Sequence, residues 1–275
     1  MARPWIEFVQ SQNLGWIPGD LWGVRPGLST KTLSLDLADG AASLLVRYPT
    51  GWTVSSGGIL AVDEEFLVLS GALAIGDRVY GERSYAHLPA GYSRAAMSAS
   101  DGAVVLTFFS ARPAWGDGTI APEAARLVEY LDGFAVPYTG KFHPEFPPGA
   151  GRKMLYEDPV THDQSWILGT LPMRWAERAE VHPTVEEMYL LSGESHGNRG
   201  VMRPGAYFWR PPGIPHGPYG TLTGNLYFFR TKGGALSTEY VDAGTPFQWW
   251  PEYDPALPDS LAGARGEGPA APACW

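Results

Sequence analysis

The stretch VEEMYLLSG (residues 185–193) decides the fold, because the chain contains a second version of it, DEEFLVLSG (residues 63–71). In both copies acidic residues precede a short apolar run and Ser-Gly ends it, which is typical of a buried β-strand bounded by a turn. The two copies are 122 residues apart. Self-similarity at a fixed spacing indicates a repeated structural unit.

A second pair of segments keeps this spacing. PAGYSR begins at Pro89, and PPGIPH begins at Pro211, again 122 residues later. Upstream, the stretch that ends at Trp52 resembles the one that ends at Trp175, with a small difference in length. The sequence therefore predicts a duplicated unit, with copies at roughly 30–112 and 150–232.

Each copy is predicted to be all-β. The apolar runs at 66–69 and 188–191 indicate buried strands, and the runs at 104–109 and 225–229 indicate closing strands. The chain has 34 glycines and 25 prolines among 275 residues, which favours many short strands and turns over a helical bundle.

One short helix is expected to link the copies, starting at Pro122 and ending at Gly133. Its shared apolar face would consist of Ala124, Leu127, Val128 and Leu131. Residues 136–151 are rich in proline and glycine and are interpreted as a linker, and the last 35 residues as irregular extensions over a barrel.

Composition and charge exclude several classes of protein. The formal net charge of −9 disfavours nucleic acid as a partner, because an acidic surface repels phosphate groups. The single cysteine, Cys274, excludes a disulfide framework and a cysteine-type zinc finger. No apolar run is long enough for a signal peptide or a membrane span, so we expect a cytoplasmic protein without a membrane partner.

Four candidate metal ligands, Glu180, His182, Glu186 and His216, occur in the second copy. Glu180 and His182 are two residues apart, so on a strand their side chains point to the same face. Pro183 breaks any helix at this point. His216 follows a Pro-x-Gly turn that could aim its side chain into the barrel. Two imidazoles with one or two carboxylates suit a divalent first-row metal.

On these residues the second copy resembles a cupin. The first cupin motif, G-x5-H-x-H-x3/4-E-x6-G, appears as Glu180-x-His182-x3-Glu186-x6-Gly193, with glutamate in place of the leading histidine. The second motif, G-x5-P-x-G-x2-H-x3-N, is matched from Gly205 to His216 but ends in Gly220 instead of asparagine. The chain around 182–193 is also similar to the cupin domain of anti-sigma factors and to cupin dioxygenases that cleave diketones and hydroxyketones.

The resemblance implies two tandem cupin barrels, which are double-stranded β-helices of the jelly-roll type. The expected domains are residues 1–135, without metal ligands, and residues 136–275, with the metal site. In the first copy only Glu64 remains of the ligand set, because the positions of Glu180, His182 and His216 hold Gly58, Leu60 and Arg94.

The resemblance further implies an enzyme that uses a divalent metal, with Fe(II) favoured over Zn, Mn or Ni. We expect oxygen-dependent cleavage of a carbon–carbon bond in a small ketone, diketone or phenolic substrate, with Glu180 or Glu186 accepting the substrate proton. The alternatives are a metal-dependent lyase, isomerase or decarboxylase, and a non-catalytic metal-binding sensor related to the anti-sigma cupin domain. The expected partners are a small organic substrate, O2 and further copies of the chain in a homo-oligomer.

Four aromatic residues near the motifs are candidates for contact with the substrate, although packing inside the barrel is the alternative reading. They are Trp175, Tyr189, Tyr207 and Trp209. Arg174 and Arg210 are candidates for binding an anionic substrate, with ion pairing as the alternative.

Overall fold

The computed structural model describes residues 3–140, 148–244 and 246–268, so that His143 and Cys274 lie outside the described residues. It divides the chain into two compact units. The first contains Gly15–Ala135, and the second combines Pro4–Leu14 with the chain from Val136 onward. The expected first domain of residues 1–135 is therefore wrong for residues 4–14, because a strand in this segment hydrogen-bonds within the second unit.

The described residues are almost entirely β. The strands from the N-terminus to residue 132 are β1 (Ile6–Gln10), β2 (Ile17–Gly19), β3 (Leu28–Leu35), β4 (Ala42–Tyr48), β5 (Trp52–Val54), β6 (Gly58–Ile59), β7 (Glu64–Gly71), β8 (Leu73–Ile75), β9 (Arg78–Tyr80), β10 (Ser84–Leu88), β11 (Ser93–Arg94), β12 (Met97–Ala99), β13 (Ala103–Phe109) and β14 (Val128–Asp132).

The strands after residue 148 are β15 (Ala150–Glu157), β16 (Gln164–Thr170), β17 (Arg174–Trp175), β18 (Ala179–Val181), β19 (Val185–Gly193), β20 (Ser195–Gly197), β21 (Gly200–Met202), β22 (Ala206–Arg210), β23 (Gly220–Thr221), β24 (Asn225–Lys232) and β25 (Glu239–Val241). The helical segments are short 3-10 turns at Ser11–Asn13, Ala124–Arg126 and Asp259–Ala264. None of the helices described is long and apolar enough to cross a membrane.

The two units share one strand order, which makes each a jelly roll. The large sheet of the first unit contains the order β10-β7-β13-β4-β3, and that of the second contains β22-β19-β24-β16-β15. Five strands of the second unit (β15, β16, β20, β21 and β22) begin and end 122 residues after their counterparts in the first. All neighbouring strands in these orders are antiparallel.

The Ser-Gly pair that ends both central strands has a steric cause. Gly71 and Gly193 have φ values of +71° and +76°, which L-residues with a side chain rarely adopt. A Cβ atom would lie 2.1 Å from the Gly102 carbonyl oxygen in the first unit and 2.0 Å from the Gly224 carbonyl oxygen in the second. Both strands therefore require glycine at this turn.

The upstream alignment of the repeats is corrected by one residue. Strand β5 begins at Trp52 and strand β17 at Arg174, so the constant spacing of 122 residues also holds here. Trp52 therefore corresponds to Arg174, and its resemblance to Trp175 is accidental. No difference in length separates the two copies over this region.

The expected linking helix from Pro122 to Gly133 is wrong. Only Ala124–Arg126 forms a 3-10 turn, and Val128–Asp132 is the strand β14, which pairs with β10. The edge of β10 presents backbone N–H and C=O groups that need partners, and hydrogen bonding to this edge outweighs a weak helix propensity.

The interior of the first unit is an apolar cluster with one buried ionic group at its end. Leu44, Val46, Phe66, Val68 and Ala86 are among the members of this cluster that are at most 1 % exposed.

The ionic group consists of Arg25, Glu64 and Arg94. Both Arg25 Nη atoms donate to the Glu64 carboxylate at 2.6 Å, and Arg94 Nε donates to it at 2.9 Å. Burial alone would raise the pKa of Glu64, but the two guanidinium groups outweigh it and lower this pKa. Arg94 stands where the second unit has His216, so a fixed cation occupies this end of the first barrel.

The Glu64 ionic group yields a prediction about stability. Glu64→Gln is expected to lower the free energy of unfolding by about 3–5 kcal/mol at neutral pH, because it leaves two buried guanidinium groups without their anion. Since the folded-state pKa of Glu64 is depressed, its contribution is present above its unfolded pKa of about 4.3 and disappears as the pH falls through the folded value. Denaturant unfolding at pH 7 and at pH 3 checks this, and an equal destabilisation at both pH values would contradict it.

Candidate metal centre

Backbone pairing places three of the predicted ligands side by side. Glu180 lies in β18, and its backbone exchanges two hydrogen bonds with His216, of 2.8 Å and 3.0 Å. The N–H of Gly213 donates to the carbonyl oxygen of His182 at 2.9 Å, which fixes the loop that carries His216. Glu186 is on the neighbouring central strand, β19.

The structure brings all four predicted ligands together. One ligand atom each from Glu180, His182 and His216 lie within 4.8 Å of one another. The Nε2 atom of His182 is 3.7 Å from a Glu180 oxygen and 3.6 Å from Glu186 Oε1. The Nε2 atom of His216 is 3.5 Å from Glu186 Oε2.

Both imidazoles are oriented by the backbone through the nitrogen that faces away from the cluster. The Nδ1 atoms of His182 and His216 contact the carbonyl oxygens of Ser237 and Ile214, each at 2.9 Å. A carbonyl oxygen can only accept a hydrogen bond, so this contact places a hydrogen on Nδ1 and leaves Nε2 as the nitrogen that faces the cluster. Histidines that bind metals are commonly held in this way.

Burial and charge keep this arrangement suited to a cation. Each histidine is only 3 % exposed, and His182 Nε2 is buried without a hydrogen-bond partner. Burial, the Arg210 cation and the neighbouring His182 hold the pKa of His216 well below its usual value, so its ring is neutral. Burial raises the pKa of Glu180, and the nearby Glu186 carboxylate adds to this increase.

A buried network behind Glu186 was not identified from the sequence. Arg210 Nη1 donates to Glu186 Oε2, and its Nε and Nη2 donate to the two oxygens of Glu7 at 2.7 Å and 2.5 Å. Tyr219 completes the network, since its hydroxyl accepts from Arg210 at 2.9 Å and donates to Glu7 at 3.1 Å. Arg210 is therefore a buried ion-pair residue, not a free anion-binding group.

These charged groups fit a divalent cation. Glu7, Glu180 and Glu186 contribute three carboxylates, Arg210 contributes one guanidinium, and the buried Nε2 of His182, which has no hydrogen-bond partner, adds a nitrogen ligand. With the carboxylates ionised, this leaves a net charge of about −2, which is costly to bury without a partner. Imidazole and carboxylate donors in this number suit Fe, Mn, Ni or Zn.

The cluster lies at one end of a cavity of about 130 Å³ inside the second barrel. Glu180, Glu186 and His216 belong to its wall. Half of the residues in the wall are apolar or aromatic, namely Trp166, Leu168, Met188, Met202, Phe208, Tyr219, Tyr227, Phe229 and Leu236. Two half-buried cations, Arg152 and Arg174, also line it.

None of the four aromatic residues expected to contact substrate lines this cavity. Side chains alternate along a strand, so Glu186 and Met188 on β19 face inward while Tyr189 faces the other side of the sheet. Tyr207 and Trp209 on β22 lie on that same outer side, where they are paired with Tyr189 and Glu187. Trp175 is 48 % exposed and packs against Trp249.

The aromatic residues that line the cavity could be predicted from the same alternation. Phe208 lies between Tyr207 and Trp209 on β22, and its register partner Met188 is two residues from Glu186. Counting in steps of two from the predicted ligand Glu186 would have selected the inward face. Trp166, on β16, lies outside both motifs in the sequence, and it is part of the cavity wall because of the order of strands in the sheet.

The sequence matches the model of a family described as a domain of unknown function, DUF4437, over residues 9–238. The chain belongs to this family. In this DUF4437 protein the match begins within β1 and ends before β25, so it includes the first unit from Gly15 to Ala135, most of the second unit and all four candidate ligands. No curated protein sequence matches the chain.

Solved structures show which fold this DUF4437 protein shares. A "putative dioxygenase" from Nostoc punctiforme superposes with a TM-score of 0.74 at 20% sequence identity, covering 86% of both chains. A variant of Bacillus subtilis oxalate decarboxylase superposes with a TM-score of 0.55 at 12% identity, covering 86% of this chain and 79% of the other. The chain therefore has a cupin-type jelly-roll fold.

The metal centre is tested by removing one imidazole. His216→Ala is expected to abolish stoichiometric binding of a divalent metal, because it deletes one of the two aligned nitrogen donors. Elemental analysis after anaerobic purification, together with titration of the apoprotein with Co(II), measures this.

The matched control for this variant is His87→Ala in the first unit. His87 is also 3 % exposed, and its Nδ1 also contacts a carbonyl oxygen, that of Arg126, at 2.7 Å. The His87→Ala variant should therefore bind as much metal as the unmodified protein. Unchanged metal content in His216→Ala would show that the assigned centre is wrong.

Proposed function

We propose that this chain is a metal-dependent cupin enzyme with two jelly-roll units and one metal centre, in the second unit. Glu180, His182, Glu186 and His216 would hold the metal. The observation that carries the proposal is the pair of buried imidazoles whose Nε2 lone pairs converge beside two carboxylates at the end of a cavity. A structural role for these residues would leave His182 Nε2 buried and unsatisfied, at a cost in free energy.

The reaction we favour is oxygen-dependent cleavage of a carbon–carbon bond in a small ketone, diketone or phenolic compound. A divalent ion bound here would supply Lewis acidity and, as Fe(II), a route for electrons between substrate and O2. The apolar and aromatic half of the wall supports this choice, because it excludes water from the reacting groups. The similarity in fold to the Nostoc protein is consistent with it.

The chain's own residues have distinct roles in this proposal. Glu180 lines the cavity with a side chain that is 18 % exposed, so the carboxylate oxygen that does not bind the metal could accept a proton from the substrate. Glu186 is paired with Arg210 and is less suited to that task. Trp166, Phe208 and Phe229 would hold the ring or alkyl part of the substrate.

The size of the cavity limits the substrate. Its volume of about 130 Å³ is close to that of an engineered cavity of about 150 Å³ that accommodates benzene. A substrate of roughly one ring, or a short diketone, would therefore fit without rearrangement of the wall.

A metal-dependent decarboxylase is the second candidate. Arg174 lines the cavity, and the chain also shares its fold with the oxalate decarboxylase of Bacillus subtilis. A guanidinium group beside the metal centre would favour a substrate that carries a carboxylate. A decarboxylase would require the same metal ligands. The two candidate reactions are therefore distinguished by their gases, because a dioxygenase consumes O2 and a decarboxylase releases CO2.

The favoured reaction is tested by gas exchange. Protein loaded anaerobically with Fe(II) is expected to consume O2 with at least one member of a panel of β-diketones and aromatic hydroxyketones, and His216→Ala is expected not to. An oxygen electrode measures this. CO2 release from small carboxylic acids without O2 consumption would favour the decarboxylase, and no turnover with Fe, Mn, Ni or Zn would contradict an enzymatic function.

Two tyrosine variants test which aromatic residues contact the substrate. Tyr227→Phe removes a hydroxyl from the cavity wall and is expected to lower kcat/KM about 2- to 10-fold, as the loss of one hydrogen bond would. Tyr207→Phe removes a hydroxyl that donates to Glu187 on the opposite side of the sheet, and it should leave kcat/KM unchanged. Steady-state kinetics with the accepted substrate compares them, and equal effects would place the substrate elsewhere.

A further inference from the structure

We propose that Glu7, on the first strand of the chain, is a positioning residue of the metal centre and that it acts through Arg210. Glu7 binds the Arg210 cation on the side away from the metal, and this leaves the negative charge of Glu186 available to a metal ion. The inference rests on the proposed function, because it concerns the affinity of the same centre.

Arg210 has two carboxylate partners, and Glu7 accepts more hydrogen bonds from it than Glu186 does. Glu7 receives two hydrogen bonds from the guanidinium group, through Nε and Nη2, in a bidentate arrangement. Glu186 receives one, from Nη1, and only at its Oε2 atom. Bidentate carboxylate contacts are the stronger kind, so Glu7 is the principal partner of Arg210. Glu186 Oε1 lies 3.6 Å from His182 Nε2, and Oε2, which accepts from Arg210, lies 3.5 Å from His216 Nε2.

Burial makes the charge of Glu7 important for the metal. Glu7 is 3 % exposed and Arg210 is 1 % exposed, so solvent screens neither group effectively. The His216 ring also lies near Arg210, since His216 Nε2 and Arg210 Nη1 both contact Glu186 Oε2. Without Glu7, Arg210 would remain as a cation with Glu186 as its only carboxylate partner among these groups, and it would compete with the metal for Glu186 and repel it.

In the first unit, the group around the equivalent carboxylate, Glu64, has a net charge of the opposite sign. Glu64 is held by two buried cations, Arg25 and Arg94, so this group has a net charge of about +1 when all members are ionised. The corresponding group of the second unit, Glu186 with Arg210 and Glu7, has a net charge of about −1. A divalent cation is attracted to the second arrangement and repelled by the first. The carboxylate of Glu7 is one of the groups that make this difference.

Glu7 reaches the metal centre through strand pairing and not through proximity in sequence. Glu7 is 203 residues from Arg210 in sequence, and it reaches the centre because β1 pairs with β22 at the edge of the large sheet. In the first unit, the corresponding edge is occupied by β14, which follows the barrel instead of preceding it. The N-terminal strand is therefore part of the metal centre of the second unit.

The experiment measures the affinity of the apoprotein for Co(II) by competition with a chelating dye, together with the visible spectrum of the bound ion. Glu7→Gln is expected to weaken Co(II) binding about 10- to 100-fold, which is the range usual for partners of metal ligands. The double variant Glu7→Gln with Arg210→Gln removes both charges and should recover most of this loss. Loss of structure would instead make the double variant at least as weak as the single one.

Glu187→Gln is the matched control. Glu187 is also buried and paired with an arginine, Arg230 at 2.6 Å. It is next to Glu186 on β19, but its side chain lies on the opposite face of the sheet. It should lower the melting temperature without changing the Co(II) affinity. A Glu7→Gln affinity within twofold of the unmodified protein, or no recovery in the double variant, would overturn the inference.

Two further outcomes keep the test decisive. If Glu7→Gln does not fold, Arg210→Gln is measured instead, and its Co(II) affinity should be equal to or higher than that of the unmodified protein; a tenfold loss would overturn the inference. If the unmodified protein itself binds no Co(II), Fe(II) or Zn(II), the proposed function fails. An unmodified protein that binds metal, with a Glu7→Gln variant that binds it equally well, contradicts only the role of Glu7.

Discussion

The structure depends on a buried carboxylate at the start of the central strand of each jelly roll. A carboxylate in this position must be balanced by positive charge, because an unpaired ion in a protein interior is strongly unfavourable. In the first unit the guanidinium groups of Arg25 and Arg94 provide that charge. In the second, Arg210 pairs with both Glu186 and Glu7, and the Nε2 atoms of His182 and His216 face the Glu186 carboxylate.

This difference separates the barrel whose buried carboxylate is paired with two arginines from the one that holds the candidate metal centre, although both share strand order and spacing. Guanidinium groups are permanently charged, so in the first barrel both Arg25 and Arg94 neutralise the carboxylate and offer it no neutral ligand atom. The second barrel offers lone pairs instead, beside a cavity whose wall is half apolar or aromatic. Duplication of a fold therefore need not duplicate its chemistry, since a few side chains at one end of the barrel decide it.

The sequence predicted the repeat, the all-β fold, the central strands and the four residues that meet at the candidate centre. These predictions succeeded because they depend on local patterns: apolar runs, turn residues and the spacing of two along a strand. The predicted linking helix failed because the apolar positions around Leu127 and Leu131 fit a helix equally well, and only the free edge of β10 decided for a strand. The aromatic residues Tyr207 and Trp209 were chosen by proximity in sequence, which ignores the alternation of side chains across the sheet.

Residue type and short-range spacing are enough to predict which groups could bind a metal, because they define ligand atoms and the face of a strand on which those atoms lie. What surrounds these groups depends on pairing between distant strands. Glu7 and Trp166 reach the centre through pairing between strands that are distant in sequence, and the pairing of β1 with β22 is set by which sheet edge is free to accept hydrogen bonds. Local patterns carry no information about that choice, because backbone hydrogen bonds are the same for every residue that can form them.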